Sequence, residues 1–132
     1  MQLILTTEEK RKLFEESIQY LGQNLRDWNF ELDFQEEDYN KAKAQLKEKE
    51  GDFQFTYDSI FTEMLFTGFK LKFIDQEDES NIIVFDLEQF ENNLNLINPK
   101  DILSIIDDRG DYDYLNCDRI VQNLVFGDVV YC

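Results

Sequence analysis

The sequence predicts an α+β fold: a single compact domain over residues 1–132, with a small, mainly antiparallel sheet packed against several short helices. Three observations carry this prediction. Apolar residues make up 42% of the chain and aromatic ones 14%, enough to fill a core even though 32% of residues are charged. Apolar residues recur at helical spacing in several separate segments, each bounded by capping or stop residues. Residues 70–85 read as two strands around an acidic turn, a central hairpin. With 132 residues, 5 Gly and 1 Pro, the chain fits one domain and leaves little room for a long flexible linker.

Gln2 to Leu5 is a short apolar run that reads as a strand. Thr6 and Glu9 then form a T-x-x-E capping box that starts a helix. Leu13, Phe14, Ile18 and Leu21 follow at helical spacing, and Gly22 is the expected stop. Next, Trp28, Phe30, Leu32 and Phe34 alternate with Asn29, Glu31 and Asp33, the period of a half-buried strand. Aromatics so arranged also suit base stacking, but the residues between them are mostly acidic and would repel a phosphate backbone. The pattern therefore reads as core packing.

Glu36 to Glu50 consists almost entirely of helix formers, with Tyr39, Ala42 and Leu46 as a thin apolar stripe and Gly51 as the stop. Its lysines are expected to pair with neighbouring glutamates. Thr56 or Asp58 caps the next helix, which presents Ile60, Phe61, Met64 and Leu65 and ends at Gly68. Leu71 and Phe73 alternate with Lys70 and Lys72, a strand with one wet face. Asp75 to Asn81 is the turn. Asn81 to Phe85 is nearly continuous apolar sequence, expected of a strand covered on both faces.

Asp86 and Gln89 start another helix through Leu87, Phe90, Leu94 and Ile97. Asn98-Pro99 marks a sharp helix start, with Asn at the cap and Pro in the first turn; Ile102, Leu103 and Ile106 are expected to face inward. After a loop from Asp107 to Asp113, a last helix carries Leu115, Ile120, Val121, Leu124 and Val125, stopped by Gly127. Asp128 to Cys132 reads as a final strand, pairing with the first strand or with the hairpin.

Charge is the chain's most unusual property. The net charge is −16, from 29 acidic and 13 basic residues. Residues 1–50 carry 12 acidic and 8 basic residues, and residues 51–132 carry 17 and 5, so the excess lies in the second part. Between Phe73 and Asp118 there are 13 acidic residues against Lys100 and Arg109. Such a surface repels nucleic acid and anionic membranes and attracts basic proteins or cations. No apolar run approaches the roughly 20 residues of a membrane span. Two cysteines without metal spacing, Cys117 and Cys132, suit a reducing compartment, so a cytoplasmic location is expected.

Catalytic signatures are sparse. The chain has no histidine, so its serines and cysteines lack the commonest activating base. Arg119 near Cys117 would lower the thiol pKa slightly, and Asp118 would oppose that. There is no Gly-rich phosphate loop. Clustered carboxylates suit hard cations, so Asp107, Asp111, Asp113 and Asp118 are the metal candidates. The loop is not an EF-hand: counting from Asp107, position six is Tyr112 and position twelve is Asp118. The Arg109-Gly110-Asp111 triplet is short enough to arise by chance. No cofactor is implied.

A different use of carboxylates is to imitate the phosphates of a duplex before a protein that holds nucleic acid in a basic groove. In small size, in the acidic stretches DQEDESN and DDRGDYDYLNCD, and in a composition rich in Phe, Tyr, Ile, Asn and Lys that points to an AT-rich genome of a bacterium or its phage, the chain resembles small acidic phage-encoded inhibitor proteins, including nucleic-acid mimics and some anti-CRISPR proteins. The resemblance is one of general character and rests on no defined motif. It implies a non-enzymatic protein-binding module, acting in the bacterial cytoplasm, whose partner is a basic surface of a nucleic-acid-binding protein. The expected contact residues are Asp75, Glu77, Asp78, Glu79, Asp107, Asp108, Asp111 and Asp113. Two other expectations stand beside it: an assembly protein with apolar oligomer contacts, acidic only for solubility, and a metal-dependent enzyme built on the Asp107–Asp118 loop.

Overall fold

Thr6 and Glu9 close the capping box read from the sequence: Thr6 Oγ1 accepts from the Glu9 N–H at 3.1 Å, and Glu9 Oε1 accepts from the Thr6 N–H at 2.9 Å. The structure is a computed structural model that describes residues 3–107 and 111–131. Gln2 and Cys132 of the expected terminal strands, and Asp108, Arg109 and Gly110 of the acidic loop, lie outside the described residues. The box starts α1 (Thr7–Ser17), which passes through a 3-10 turn (Ile18–Tyr20) into α2 (Leu21–Trp28). Gly22 is thus inside a helix and does not stop one. The buried stripe carries on past it to Asn24 and Trp28, and a lone helical Gly costs only about 1 kcal/mol against Ala. Asn29 supplies the reversal instead, at φ 60°, a left-handed conformation that Asn tolerates.

Because Trp28 closes α2, the strand that follows is shorter than the 28–34 alternation suggests. It is β1 (Phe30–Asp33), with Phe30 buried and Glu31 and Asp33 exposed. Next come α3 (Glu36–Glu50), resting on Ala42 and Leu46, and α4 (Tyr57–Thr67), which buries Ile60, Phe61, Met64 and Leu65. Thr56 stands at the cap of α4 without a side-chain bond. Gly68, at φ 100°, lets the chain leave α4 in the left-handed conformation that other residues resist.

The expected hairpin then forms from β2 (Leu71–Asp75) and β3 (Ile82–Phe85). The sheet is antiparallel throughout, in the order β1-β2-β3, with Leu32 beside Phe73 and Phe73 beside Ile83. Its third strand is therefore β1, not a terminal segment: neither residues 3–5 nor residues 128–131 are strand. The inner face carries Phe30, Leu71, Phe73 and Phe85, all buried. Phe85 stacks on Phe14 at 5.7 Å and meets Phe73 edge-on at 6.2 Å, and Phe14 in turn meets Phe90. The other face is open, so β3 is not covered on both sides as its apolar run suggests: Ile82 is 48% exposed and Val84 43%.

The remaining helices are α5 (Leu87–Leu94), capped by Asp86, α6 (Pro99–Ile106), capped by Asn98, and α7 (Tyr114–Phe126). Two expected core residues are exposed. Leu103 lies a third of a turn off the Ile102–Ile105 stripe of α6, and Leu115 lies off the Cys117, Ile120, Val121, Leu124 stripe of α7. Among the described residues, no helix is long and apolar enough to cross a membrane.

In place of a final strand, the tail docks on one buried side chain. Gln122 Oε1 accepts from the N–H groups of both Val130 and Tyr131 at 2.8 Å, and its Nε2 donates to the Tyr131 carbonyl and to Asp118 Oδ2 at 2.8 Å. The amide thus gives residues 130–131 the donor and acceptor that a neighbouring strand would. Gln122→Leu keeps the volume but removes these bonds. It is expected to lower stability by about 2 kcal/mol in urea denaturation and to expose the Val130 and Tyr131 amides to rapid hydrogen exchange.

Candidate acidic interface

Two parts of the chain supply the expected acidic contacts, and α7 separates them. The first is the hairpin turn. Asp75 Oδ1 accepts from the Glu77 N–H at 2.9 Å and Asp75 Oδ2 from Asn81 Nδ2 at 3.3 Å. Asp78 Oδ1 accepts from the Ser80 N–H and from Ser80 Oγ at 2.6 Å. These two aspartates therefore fold the turn, as short side chains reaching back to their own backbone do. The side chains of Glu77 and Glu79 are exposed and take no part in these bonds.

The second part is the loop before α7. Asp107 ends α6 and is exposed, as are Asp111 and Asp113. Asp113 is the α7 N-cap: its carboxylate accepts from the Asn116 N–H at 3.1 Å, and Asn116 Oδ1 accepts from the Asp113 N–H. The loop is anchored by phenols on either side of Asp113. Tyr112 Oη donates to Glu16 Oε2 at 2.7 Å, and Tyr114 Oη donates to Asp27 Oδ2. Burial and the adjacent carboxylates push both phenols up to about 12. Asp108 lies outside the described residues.

The two groups of acids stand at opposite ends of α7. Asp113 caps its start, whereas Phe126 at its end packs on Phe30, the strand partner of Asp75. A 13-residue helix spans about 20 Å. The structure therefore spaces the expected contacts along one helix and does not gather them in one cluster. Asp27 stands beside the first residue of α7.

The metal candidates are dispersed. Asp118 points away from the loop, into the seam between α2 and α7, where its Oδ1 accepts from Asn24 Nδ2 at 2.9 Å and Trp28 Nε1 at 3.1 Å. With Gln122 on the other oxygen of Asp118 and Asp113 engaged as a cap, these two candidates are held by the fold. Among the described residues, no group of three His, Cys, Asp or Glu side chains is spaced to hold a metal. Cys117 is buried, with its Sγ 3.7 Å from the Glu16 carbonyl. Burial and then Asp113 push its thiol up to about 12, so the slight lowering expected from Arg119 is overturned. Arg119 is committed to Asp101, whose two oxygens it holds at 2.8 and 3.0 Å. Burial alone would raise the Asp101 carboxyl, but Arg119 and Asn116 bring it below the usual range.

One polar group escapes a periodicity reading altogether. Glu63, fully buried within the apolar face of α4, is held by Arg11 and by Lys49 at 2.8 Å. Burial pushes its carboxyl up, the hydrogen bonds from Lys49 and Arg11 push it down, and the outcome lies below the usual glutamate value. The one legible signal is an acid standing between Phe61 and Met64–Leu65. Nearby, a cleft of about 310 Å³ is lined by Glu8, Arg11, Lys12, Glu15, Glu50 and Ser59, with Leu46 at its wall. Burial and then the Asp58 charge raise the Glu15 carboxyl. With Arg11 already committed to Glu63, the cleft is a mixed ion cluster. No protein family, curated protein or solved structure matches the chain.

Proposed function

We propose that this chain is a non-enzymatic protein-binding module, an inhibitor of phage type acting in the bacterial cytoplasm, whose carboxylates engage a basic surface of a nucleic-acid-binding protein. One observation carries the reading: the cations that form ion pairs serve acids elsewhere. Lys10 pairs with Glu91, Arg11 and Lys49 with Glu63, Lys41 with Glu37, Lys47 with Asp52 and Arg119 with Asp101. Glu77, Glu79 and Asp111 are exposed and form no ion pair with a described Lys or Arg. Their field is thus left for a partner, and acids placed near the two ends of a helix about 20 Å long suit a groove that normally follows a nucleic-acid backbone.

The turn and cap bonds decide which substitutions test this. Asp75, Asp78 and Asp113 hold the backbone, so changing them confuses folding with binding. The triple substitution Glu77→Lys, Glu79→Lys, Asp111→Lys should leave stability within about 0.5 kcal/mol per site and weaken a partner complex by at least about tenfold. A pull-down from host lysate should release the partner as salt rises, because the screening length falls from about 10 Å at 0.1 M to 3 Å at 1 M. Capture that survives both the triple substitution and high salt would overturn the proposal.

A further inference from the structure

The open edge of the sheet is chemically unlike its other edge. On the solvent face, β1 carries Glu31 and Asp33, and charge of this kind guards an edge against pairing. The same face of β3 carries Ile82 and Val84, both exposed, and the strand contains no Pro and no charged residue. The ladder also fixes where the main chain points. The Asp75 N–H donates to the Asn81 carbonyl, so in this register Ile83 and Phe85 bond to β2 while the N–H and C=O groups of Ile82 and Val84 face outward. No described group outside the ladder bonds to them.

We infer that β3 is a docking edge to which an extended, basic segment of the partner adds as a fourth strand. Resting on the acidic-interface reading, this specifies the partner's conformation and sequence pattern. Main-chain bonds to Ile82 and Val84 supply the pairing, and apolar side chains on alternate residues cover the exposed methyl groups. Charge selects the occupant. The strand begins beside the acidic turn, with Glu77 and Glu79 exposed, and runs into Asp86 and Glu88. An added strand bearing Lys or Arg at its ends meets opposite charge at both. A second copy of this chain, at net charge −16, would bring its own acids to the same places.

The test uses a short peptide alternating Lys and Val, with an oligolysine of equal charge as control. At low salt, the alternating peptide should protect the Ile82 and Val84 amides from hydrogen exchange, and oligolysine should not. Val84→Pro removes an outward N–H that the hairpin does not use and should weaken the alternating peptide by about tenfold with oligolysine unchanged. Val84→Lys is the second variant, should the proline variant fold poorly, and should act in the same direction. If both peptides bind alike and both variants leave them unchanged, the edge proposal is overturned and the acidic surface stands. If neither peptide binds, both proposals fall. A dimer in sedimentation that Val84→Lys dissolves would overturn the assignment of a basic partner strand in favour of a second copy.

Discussion

Truncating Phe85 to Ala is expected to cost about 4 kcal/mol, the range for removing a fully buried aromatic ring. Phe85 is the last residue of β3 and is 0% exposed. Its ring lies against Phe14 of α1 and Phe73 of β2, so it ties the edge strand to the first helix and to its own hairpin. The cavity opens beneath the sheet, where Phe90 and Leu13 are also fully buried. A loss of that size is a large part of the 5–15 kcal/mol typical of a domain. Urea denaturation should show the midpoint falling with little change of slope. Phe85→Leu, which keeps most of the contact, should cost less than half as much.

Arg11→Met is expected to cost about 3 kcal/mol, because it leaves a buried carboxylate with one cation in place of two. Arg11 also lies over the Phe66 ring at 5.3 Å. For a chain of this length the melting temperature should fall by about 10 °C. The double variant Arg11→Met, Glu63→Leu removes the stranded charge as well and should regain much of the loss, a coupling that a double-mutant cycle measures directly. The pH dependence has a definite sign. Glu63 has a lowered pKa in the folded chain, so its stabilising contribution is complete above the usual glutamate value and is lost as pH falls through the lowered one. In Arg11→Met that acid-limb contribution should shrink. A variant that melts like the parent would show that the buried pair is energetically neutral.

Local chemistry made most helices legible. The Thr6–Glu9 box, the Asp86 cap, Asn98-Pro99 and the left-handed glycines at 68 and 127 each act within a few residues, and each stands where its sequence signal placed it. Sequence and structure part where burial depends on distant partners. The apolar run of β3 carries no mark that one of its faces meets solvent, since that depends on which strands and helices surround it. The terminal segments read as strands from their composition, but β1 took the place beside β2, and Gln122, a single polar residue within a helical stripe, took the role of the tail's neighbour. In the candidate interface, all the turn acids were legible as acids. The division of labour within them was not: Asp75 and Asp78 fold the loop while Glu77 and Glu79 face solvent, a difference set by side-chain length and local backbone geometry.

The seam between α2 and α7 has an optical consequence. Trp28 is the single tryptophan of the chain, it is 3% exposed, its indole N–H is bonded to Asp118, and its ring meets Phe126 at 5.3 Å and Tyr131 at 6.5 Å. Tyr131 in turn lies within the field of Asp75 and Glu77. Fluorescence excited in this indole therefore originates from one known place, a buried contact between α2, the last helix and the tail, near the turn end of the hairpin. Detachment of the tail would hydrate the ring and move its emission to the red, so the molecule carries an intrinsic, label-free gauge of whether that corner is closed.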